Sequence, residues 1–311
     1  MKRVDLLQMA WLIVVLAALA LSAAAFAHRE RLPLTAAGAP ANERVTDMTG
    51  RVLPIAHYRR IASASGLADR LLLELCEPER ILALSHYGRV HDLDRHKYGA
   101  RPDVSGPADI ERLIGMNADL LIVNHLGAEA ELARARASGI PVFDLGEMRG
   151  LASLQPDILA LATLLGDRAR GERLWRRVSR GMAAVASDIP KERRRRALYL
   201  AIYAGKVYGG TIGTSYHDVL EAAGLIDIAA SGFKDWPQYD TEQLLALDPS
   251  LVITDSNMGR ELCSNEWLKQ LRACRERDGI VELPEALIGD SGLGMLDAAQ
   301  ELRVRVYGPS P

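Results

Sequence analysis

A pattern of fourteen residues occurs twice in this chain and constrains its fold more than any other feature. Residues 109–122 (DIERLIGMNADLLI) align without a gap on residues 240–253 (DTEQLLALDPSLVI), 131 positions later. Each copy opens with an acidic residue, continues as a short helical stretch and ends in an apolar, strand-like run. A repeated unit of this kind predicts two similar lobes. Because ligands of open α/β sheets bind beyond the carboxyl ends of the strands, it also predicts a cleft between the lobes.

Strand-like and helical segments alternate along most of the chain. The candidate strands are Arg60–Ser63, Arg80–Ser85, Leu120–Asn124, Pro141–Leu145, Ala197–Tyr203, Leu251–Asp255 and Gly279–Leu283. The candidate helices cover 66–77, 107–116, 128–138, 214–224, 241–247 and 292–306. Alternation of this kind is typical of parallel sheets covered by helices on both faces. The sequence therefore predicts an α/β protein with two Rossmann-like lobes, each a mostly parallel sheet flanked by helices.

One long stretch between the predicted lobes has no strand signal. Its apolar residues recur at helical spacing: Leu161, Leu164, Leu165, Leu174, Val178, Met182 and Val185. At about 1.5 Å per residue, a continuous helix of this length would extend roughly 45 Å. We therefore predict one bridging helix over 153–190, between an N-terminal lobe over 51–152 and a C-terminal lobe over 191–311.

The N-terminus has the layout of a secretory signal peptide. Lys2 and Arg3 precede an apolar run over 9–25, and Ala25 and Ala27 supply the small residues of a cleavage site. We predict cleavage after Ala27, an N-terminal arm over 28–50 and a soluble protein in the periplasm. An uncleaved membrane anchor is the alternative, although the run is short for a membrane span.

Charge and cysteine content narrow the function further. The formal net charge of −2 lacks the basic excess that is typical of nucleic-acid binders. Cys263 and Cys274 lie eleven positions apart and could form a local disulfide in an oxidising compartment, whereas Cys76 lies in an apolar stretch that predicts a buried free thiol.

Five stretches carry a family resemblance: RIASASGLADRLLLELCEPERILALSHY, ADIERLIGMNADLLIV, SGIPVFDL, DWPQYDTEQLLALDPSLVIT and GDSGLGMLDAAQELRVRVYG. In order and spacing the chain resembles the periplasmic binding proteins for vitamin B12, haem and ferric siderophores, whose lobes are bridged by one helix. Within this class, LALSHY and DWPQYDTEQLL resemble the cobalamin-binding member most closely. The chain departs from that member by lacking its tryptophans near Ser105 and at His125, and its cysteine near Ala222.

The resemblance implies a transport function without catalysis and without a cofactor of its own. A monomer would capture a corrinoid, a ferric siderophore or haem between its lobes and deliver it to the permease dimer of an ABC importer at the inner membrane. The family's two docking glutamates match Glu111 and Glu242, which are equivalent positions of the repeat. Each of these acids could also simply complement the N-terminus of its helix.

The resemblance also assigns residues to the cleft. Tyr87 and Trp236 match aromatic ligand contacts of the family, and Tyr208, His125 and Ser291 fall near further contact positions. Flat aromatic rings on loops at strand ends suit a macrocycle, because they bury apolar area and offer a polar edge.

Three further readings remain open from the sequence. Protein ligation of a metal would use His86, Tyr98 or His125, since His and Tyr are common axial ligands of haem iron. A protein for bare Zn²⁺ or Mn²⁺ would need several His, Asp and Glu side chains to converge in the cleft. A secreted hydrolase using Ser291, in the motif GDSG, is the third reading, although no nucleophile elbow is present.

Overall fold

The computed structural model describes residues 43–92, 95–105, 109–124 and 129–309. For Glu129 it describes the backbone and not the side chain. All of these residues belong to one compact unit, Gly38–Pro311. The predicted signal peptide, 1–27, and the predicted arm as far as residue 42 lie outside the described residues. Within the described ranges, no helix combines the length and apolar character needed to cross a membrane.

The described part of the predicted arm is a strand rather than a tail. β1 (Arg44–Thr46) pairs antiparallel with β2 (Val52–Pro54), so a hairpin crosses the boundary that the sequence placed at residue 50. The hairpin turn is tied to the first lobe, because the Met48 N–H donates to the Asp144 carbonyl oxygen at 3.0 Å. The first lobe therefore begins earlier than predicted.

Five parallel strands form the sheet of the first lobe: β3 (Ile61–Ser63), β4 (Ile81–Ser85), β5 (Asp103–Val104), β6 (Leu120–Val123) and β7 (Val142–Asp144). Their order is β5-β4-β3-β6-β7. The order reverses between β3 and β6, which is the switch point of a doubly wound sheet. The helices that follow the first four strands are α1 (Gly66–Leu75), α2 (His86–His91), α3 (Ile110–Gly115) and α4 (Glu129–Ala137).

Two helices, rather than the single helix predicted over 153–190, connect the lobes. α5 (Leu151–Leu164) ends at a turn in which Gly166 has a φ of +88°, and α6 (Arg168–Ala184) begins after Asp167. The Asp167 side chain caps α6 by accepting from the Arg170 N–H at 2.9 Å. A Cβ on Gly171 would lie only 2.5 Å from the Ala162 Cβ, so glycine allows the two helices to pack closely. The prediction of one continuous helix is therefore wrong.

The second lobe repeats the arrangement of the first. Its parallel strands, in the order β11-β8-β13-β14, are β8 (Arg196–Tyr199), β11 (Ile226–Asp227), β13 (Leu251–Asp255) and β14 (Ile280–Leu283). A small antiparallel sheet adds β9 (Ala201–Tyr203), β10 (Lys206–Tyr208) and β12 (Gln238–Tyr239). The helices are α7 (Ser215–Ala222), α8 (Thr241–Leu247), α9 (Met258–Ser264), α10 (Arg272–Arg275), α11 (Glu285–Ile288) and α12 (Met295–Tyr307). The two repeat copies form α3–β6 and α8–β13, which confirms the predicted α/β class with mostly parallel sheets.

A shared hydrophobic core holds the two sheets together through the connecting helices. Ile61 of β3, Leu161 of α5, Val178 of α6 and Ile253 of β13 are buried in one continuous cluster. Burying such side chains contributes about 1.5–3 kcal/mol each. The connection is therefore a packed element of the fold rather than a flexible linker.

The cysteines form the disulfide and the buried free thiol that their positions in the sequence suggested. Cys263 and Cys274 form a disulfide between α9 and α10, with Cα atoms 5.4 Å apart. Cys76 is buried as a free thiol, and burial is the main factor that raises its pKa to about 11.

Asp157 is a buried acid in the middle of α5. The residue is fully buried, and neither of its carboxylate oxygens has a hydrogen-bond partner among the described residues. Burial, and secondarily the nearby Asp144, raises the pKa of Asp157 to about 8. The folded protein therefore holds a proton on Asp157 at pH values where the unfolded chain, with a pKa of about 3.9, releases it.

We expect Asp157→Asn to stabilise the protein under mildly alkaline conditions. The raised folded-state pKa means that the free energy of unfolding falls as the pH rises from about 4 to about 8. The asparagine variant does not titrate, so its stability advantage over the parent should grow by about 4 kcal/mol between pH 4.5 and pH 8. Urea unfolding across this pH range, with the exposed Asp278→Asn as the control, measures the effect. Parallel pH profiles for the parent and Asp157→Asn would contradict it.

Candidate functional site

A cavity of about 550 Å³ lies at the carboxyl ends of the strands. In the first lobe it is lined by residues within two positions of the ends of β3, β4, β5 and β6, namely Ala64, Tyr87, Ser105 and Asn124. Its opposite wall comes from the second lobe, where Glu285, Asp290 and Ser291 follow β14. The cavity thus lies at the switch point between β3 and β6, where open α/β sheets bind ligands. A second depression, of about 630 Å³, runs along the outer edge of β14 and does not lie at this switch point.

A buried hydrogen-bond network positions Tyr87. The Ser85 hydroxyl caps α2 by accepting from the Gly88 N–H at 2.9 Å. The Asp69 carboxylate, from α1, accepts from the Ser85 N–H at 2.9 Å and from its hydroxyl. Glycine is required at position 88, because a Cβ there would collide with Asp69 and with the Tyr98 hydroxyl. The first turn of α2, and with it Tyr87, is therefore held against α1.

Each lobe carries an exposed aromatic ring, and one of the two, Tyr87, lines the cavity. Tyr87 is 62% exposed and stacks on His91, with ring centroids 4.4 Å apart. Trp236 is 52% exposed and packs edge-on against Tyr216, which in turn stacks on Tyr199 at 3.7 Å. Large apolar side chains that remain exposed on a folded protein commonly mark binding surfaces.

Tyr87 influences the pKa of Tyr216, the residue on which Trp236 packs. Burial chiefly raises the pKa of Tyr216 to about 12, and Asp255, Glu285 and Tyr87 add to the shift. Tyr87 belongs to the first lobe, whereas Tyr216 and Trp236 belong to the second. Aromatic residues of the two lobes are therefore close enough to influence each other's ionisation.

Arg70 joins the two walls at the base of the cavity. This residue of α1 forms an ion pair with Asp290 of the second lobe, and its guanidinium lies 3.8 Å from both Asp92 and Asp297. Burial lowers the pKa of Arg70, but the pairing with Asp290 and its acidic neighbours raises it by more. The guanidinium is therefore a fixed cation surrounded by carboxylates.

The fold and this cleft agree with the comparisons to known proteins. A model of the periplasmic binding protein family matches residues 61–311. The chain belongs to the periplasmic binding protein family. This confirms the resemblance drawn from the sequence, to the class that handles vitamin B12, siderophores and haem.

Two kinds of relative support the assignment of this periplasmic binding protein. A cobalamin-binding protein of Halobacterium salinarum is 22% identical over 205 residues, which are 65% of this chain and 55% of that protein. The chain thus spans about half the length of the curated relatives it matches. The periplasmic heme-binding protein RhuT of Roseiflexus sp. RS-1, in its apo form, superimposes with a TM-score of 0.67 at 22% identity, over 80% of this chain and 97% of that one. The periplasmic heme-binding protein HutB of Vibrio cholerae gives a TM-score of 0.68 at 19% identity, over 80% and 99%.

The predicted cleft residues of this binding protein fall into three groups. Tyr87 and Ser291 line the cavity, and the Ser291 hydroxyl donates to the Met148 Sδ at 2.8 Å. Trp236 and Tyr208 lie outside the lining; the Tyr208 hydroxyl is 3.3 Å from the Gln238 Oε1. His125 lies outside the described residues.

The candidate metal ligands His86 and Tyr98 point to other partners. The His86 Nδ1 lies 2.7 Å from the Asp103 carboxylate on an exposed side chain. Tyr98 borders the cavity but is fully buried, and its hydroxyl donates to Asp92 at 3.1 Å. Burial, followed by the charges of Asp69 and Asp92, raises the pKa of Tyr98. No group of three or more His, Cys, Asp or Glu residues is arranged to hold a metal ion in the parts of the chain that the structure describes.

Glu111 and Glu242 occupy equivalent, exposed positions in the two lobes. Each lies in the first turn of a short helix, α3 or α8, that leads into a central strand. The α8 helix starts with a capping box between Asp240 and Gln243, so its N-terminus is satisfied without Glu242. Glu242 therefore has no necessary part in capping the helix.

Two cavity residues have no signal in the sequence. Arg70 and Glu131 lie within helices, away from strand ends, and only the packing of the helices brings them to the cavity. Asp290 directly precedes Ser291, a predicted cleft residue, in the glycine-rich loop GDSG.

Proposed function

We propose that this chain is the substrate-binding protein of an ABC importer. It captures a large metal chelate, a corrinoid, a ferric siderophore or haem, between its lobes and delivers it to a membrane permease. One observation carries the proposal: a cavity of about 550 Å³ at the carboxyl ends of the strands, with walls from both lobes and the exposed ring of Tyr87 in its lining.

The chemistry of the cleft suits binding of a flat, partly apolar ligand. Tyr87 offers a ring face from the first lobe, and Trp236 offers one from the second. Aromatic surfaces bury large apolar areas with little loss of side-chain entropy. The Ser291 hydroxyl faces the Met148 sulfur rather than a histidine base, which favours a binding role over the hydrolase reading.

The names of the relatives support the ligand class. One is named for cobalamin and others for heme, and both ligands are macrocyclic metal chelates. We extend the class to this chain on the geometry of its own cleft, and we include ferric siderophores from the sequence resemblance. We further propose that the protein acts as a periplasmic monomer exported by residues 1–27. The disulfide Cys263–Cys274 supports an oxidising compartment.

Ligand titration of the purified protein tests the proposal directly. We expect saturable binding of one chromophore among cyanocobalamin, haemin and a panel of ferric siderophores, with quenching of tryptophan fluorescence. Tyr87→Ala and Trp236→Ala should each weaken that binding about 10-fold, because one aromatic contact contributes about 1–2 kcal/mol.

Trp267→Ala is the matched control for the titration. Trp267 is 56% exposed, like Trp236, but it lies beside α9, whereas Trp236 packs against Tyr216. Its replacement should leave affinity unchanged. Failure of every chelate to bind, together with stoichiometric Zn²⁺ or Mn²⁺ retained after dialysis, would contradict the proposal in favour of a bare-metal protein.

A further inference from the structure

Among the lining residues of the cavity that the structure describes, four are acidic and one, Arg70, is an arginine. Its ionisable lining residues are Arg70, His91, Asp92, Glu131, Glu285 and Asp290. One arginine faces four acids, so the lining has a formal charge of −3 with His91 neutral. A binding site with this balance attracts cations and repels anions.

The one arginine is already neutralised by protein groups. Arg70 is paired with Asp290 and lies near Asp92 and Asp297. An incoming carboxylate would have to displace Asp290 from a largely buried pair. Arg70 is therefore poorly placed to receive an anionic group of a ligand.

Two acids remain available on opposite walls. Glu131 of α4 belongs to the first lobe, and Glu285 of α11 belongs to the second. Among the described residues, neither side chain has a hydrogen bond or ion pair, whereas Asp92 and Asp290 do. These two carboxylates are free to accept hydrogen bonds from amide or ammonium groups of a ligand.

The negative potential also reaches the mouth of the cavity. The pKa of Tyr87 is raised by burial and then by Glu285 and Asp290. Glu285 adds to the raised pKa of Asp255 as well, after burial as the main cause. A carboxylate that disfavours ionisation of neighbouring groups will equally disfavour an anionic ligand at the same place.

Nearby cations outside the lining do not reverse this balance. Arg149 lies 2.7 Å from Glu147 and 3.5 Å from Asp235, the residue before Trp236. Lys234 is exposed and does not line the cavity. The internal stretches outside the described residues, 93–94, 106–108 and 125–128, contain no lysine or arginine.

From these charges we infer that the cleft selects a neutral or cationic chelate with amide or ammonium groups at its edge, and discriminates against anionic chelates. Glu131 and Glu285 are the residues that set this selectivity. The inference rests on the proposed function, and it narrows the ligand class that the fold alone leaves open. It disfavours haem with two free propionates and siderophore complexes with a net negative charge.

Ligand pairs that share one chelate core and differ in the charge at its edge test the inference. The pairs are cyanocobalamin and its monocarboxylate, haemin dimethyl ester and haemin, and ferrioxamine B and its N-succinyl derivative. In each pair that binds, we expect the less anionic member to bind at least 10-fold more tightly in low salt, and the ratio to shrink in 0.5 M NaCl, where the Debye length falls to about 4 Å.

A charge-neutral variant identifies the residues responsible. Glu131→Gln/Glu285→Gln should reduce the ratio within a pair at least 5-fold, whereas the exposed control Glu79→Gln/Glu192→Gln should retain it. Equal or tighter binding of the anionic member would overturn the inference while leaving the proposed function intact. If neither member of any pair bound, the proposed function would fall, and the inference with it.

Discussion

A protein with Glu111→Lys and Glu242→Lys is expected to bind its chelate with unchanged affinity but to support uptake at least about 100-fold less well than the parent. Each glutamate is exposed in the first turn of a short helix, and the two occupy equivalent positions in the repeat. Under the proposed docking, each would meet a basic group on one half of a permease dimer. Reversal of a charge at such a contact replaces attraction with repulsion, which costs several kcal/mol per site.

The expected loss in uptake is separable from loss of stability. A lysine in the first turn of a helix opposes the helix dipole by about 0.3–1 kcal/mol, so the double variant should remain folded. Uptake by cells that produce each variant, and chelate titration of the purified proteins, give the two readouts. Glu79→Lys/Glu192→Lys is the matched control, because both residues are exposed acids in the first turn of short helices outside the repeat. Normal uptake by the Glu111 and Glu242 variant would rule out docking through these residues.

The repeat made much of the fold predictable. In the second copy, the predicted bounds of helix 241–247 and strand Leu251–Asp255 agree with α8 and β13. Local chemistry explains the agreement: Asp240 and Gln243 form a capping box, and Asp248 ends the helix in the left-handed region. The strand that follows is buried over its first four residues, so its apolar run is continuous.

The spacing of apolar residues could not show whether one helix or two helices connect the lobes. Leu161 and Leu164 of α5, and Leu174 and Val178 of α6, are all buried in the same core. Two helices that present one face each to a common core have the same apolar spacing as one long helix. The distinguishing signal was Gly166, whose positive φ permits the turn that a single helix would not need.

The site was predictable where it follows strands and hidden where it depends on packing. Tyr87 comes two residues after β4, and the family resemblance at this strand end was enough to find it. Arg70, by contrast, looks like an ordinary polar residue of the amphipathic helix α1. Its partner Asp290 is 220 positions away in sequence, and only the approach of the second lobe brings the two together.

That long-range pair leads to the second large effect, which is expected for Arg70→Met. The Arg70, Asp92 and Asp290 side chains are only 19%, 6% and 17% exposed. Removing the cation leaves the largely buried Asp290 carboxylate without the guanidinium it pairs with, and breaking a buried pair in this way costs about 3–5 kcal/mol. We therefore expect the free energy of unfolding to fall by about 3–4 kcal/mol at pH 7. The deficit should shrink at pH 4.5, where protonation of the carboxyls relieves the uncompensated charge.

A double-variant cycle assigns this loss to the pair rather than to the missing side chain. Arg70→Met/Asp290→Asn should recover about 1–2 kcal/mol relative to Arg70→Met, since the amide no longer needs a cation. The exposed Arg260→Met removes the same charge from the surface and should change stability by less than about 0.5 kcal/mol. Equal stability of Arg70→Met and the parent would mean that Arg70 acts as a solvated surface cation. The coupling free energy between Arg70 and Asp290 measures how much this ion pair stabilises the contact between the two walls of the cavity.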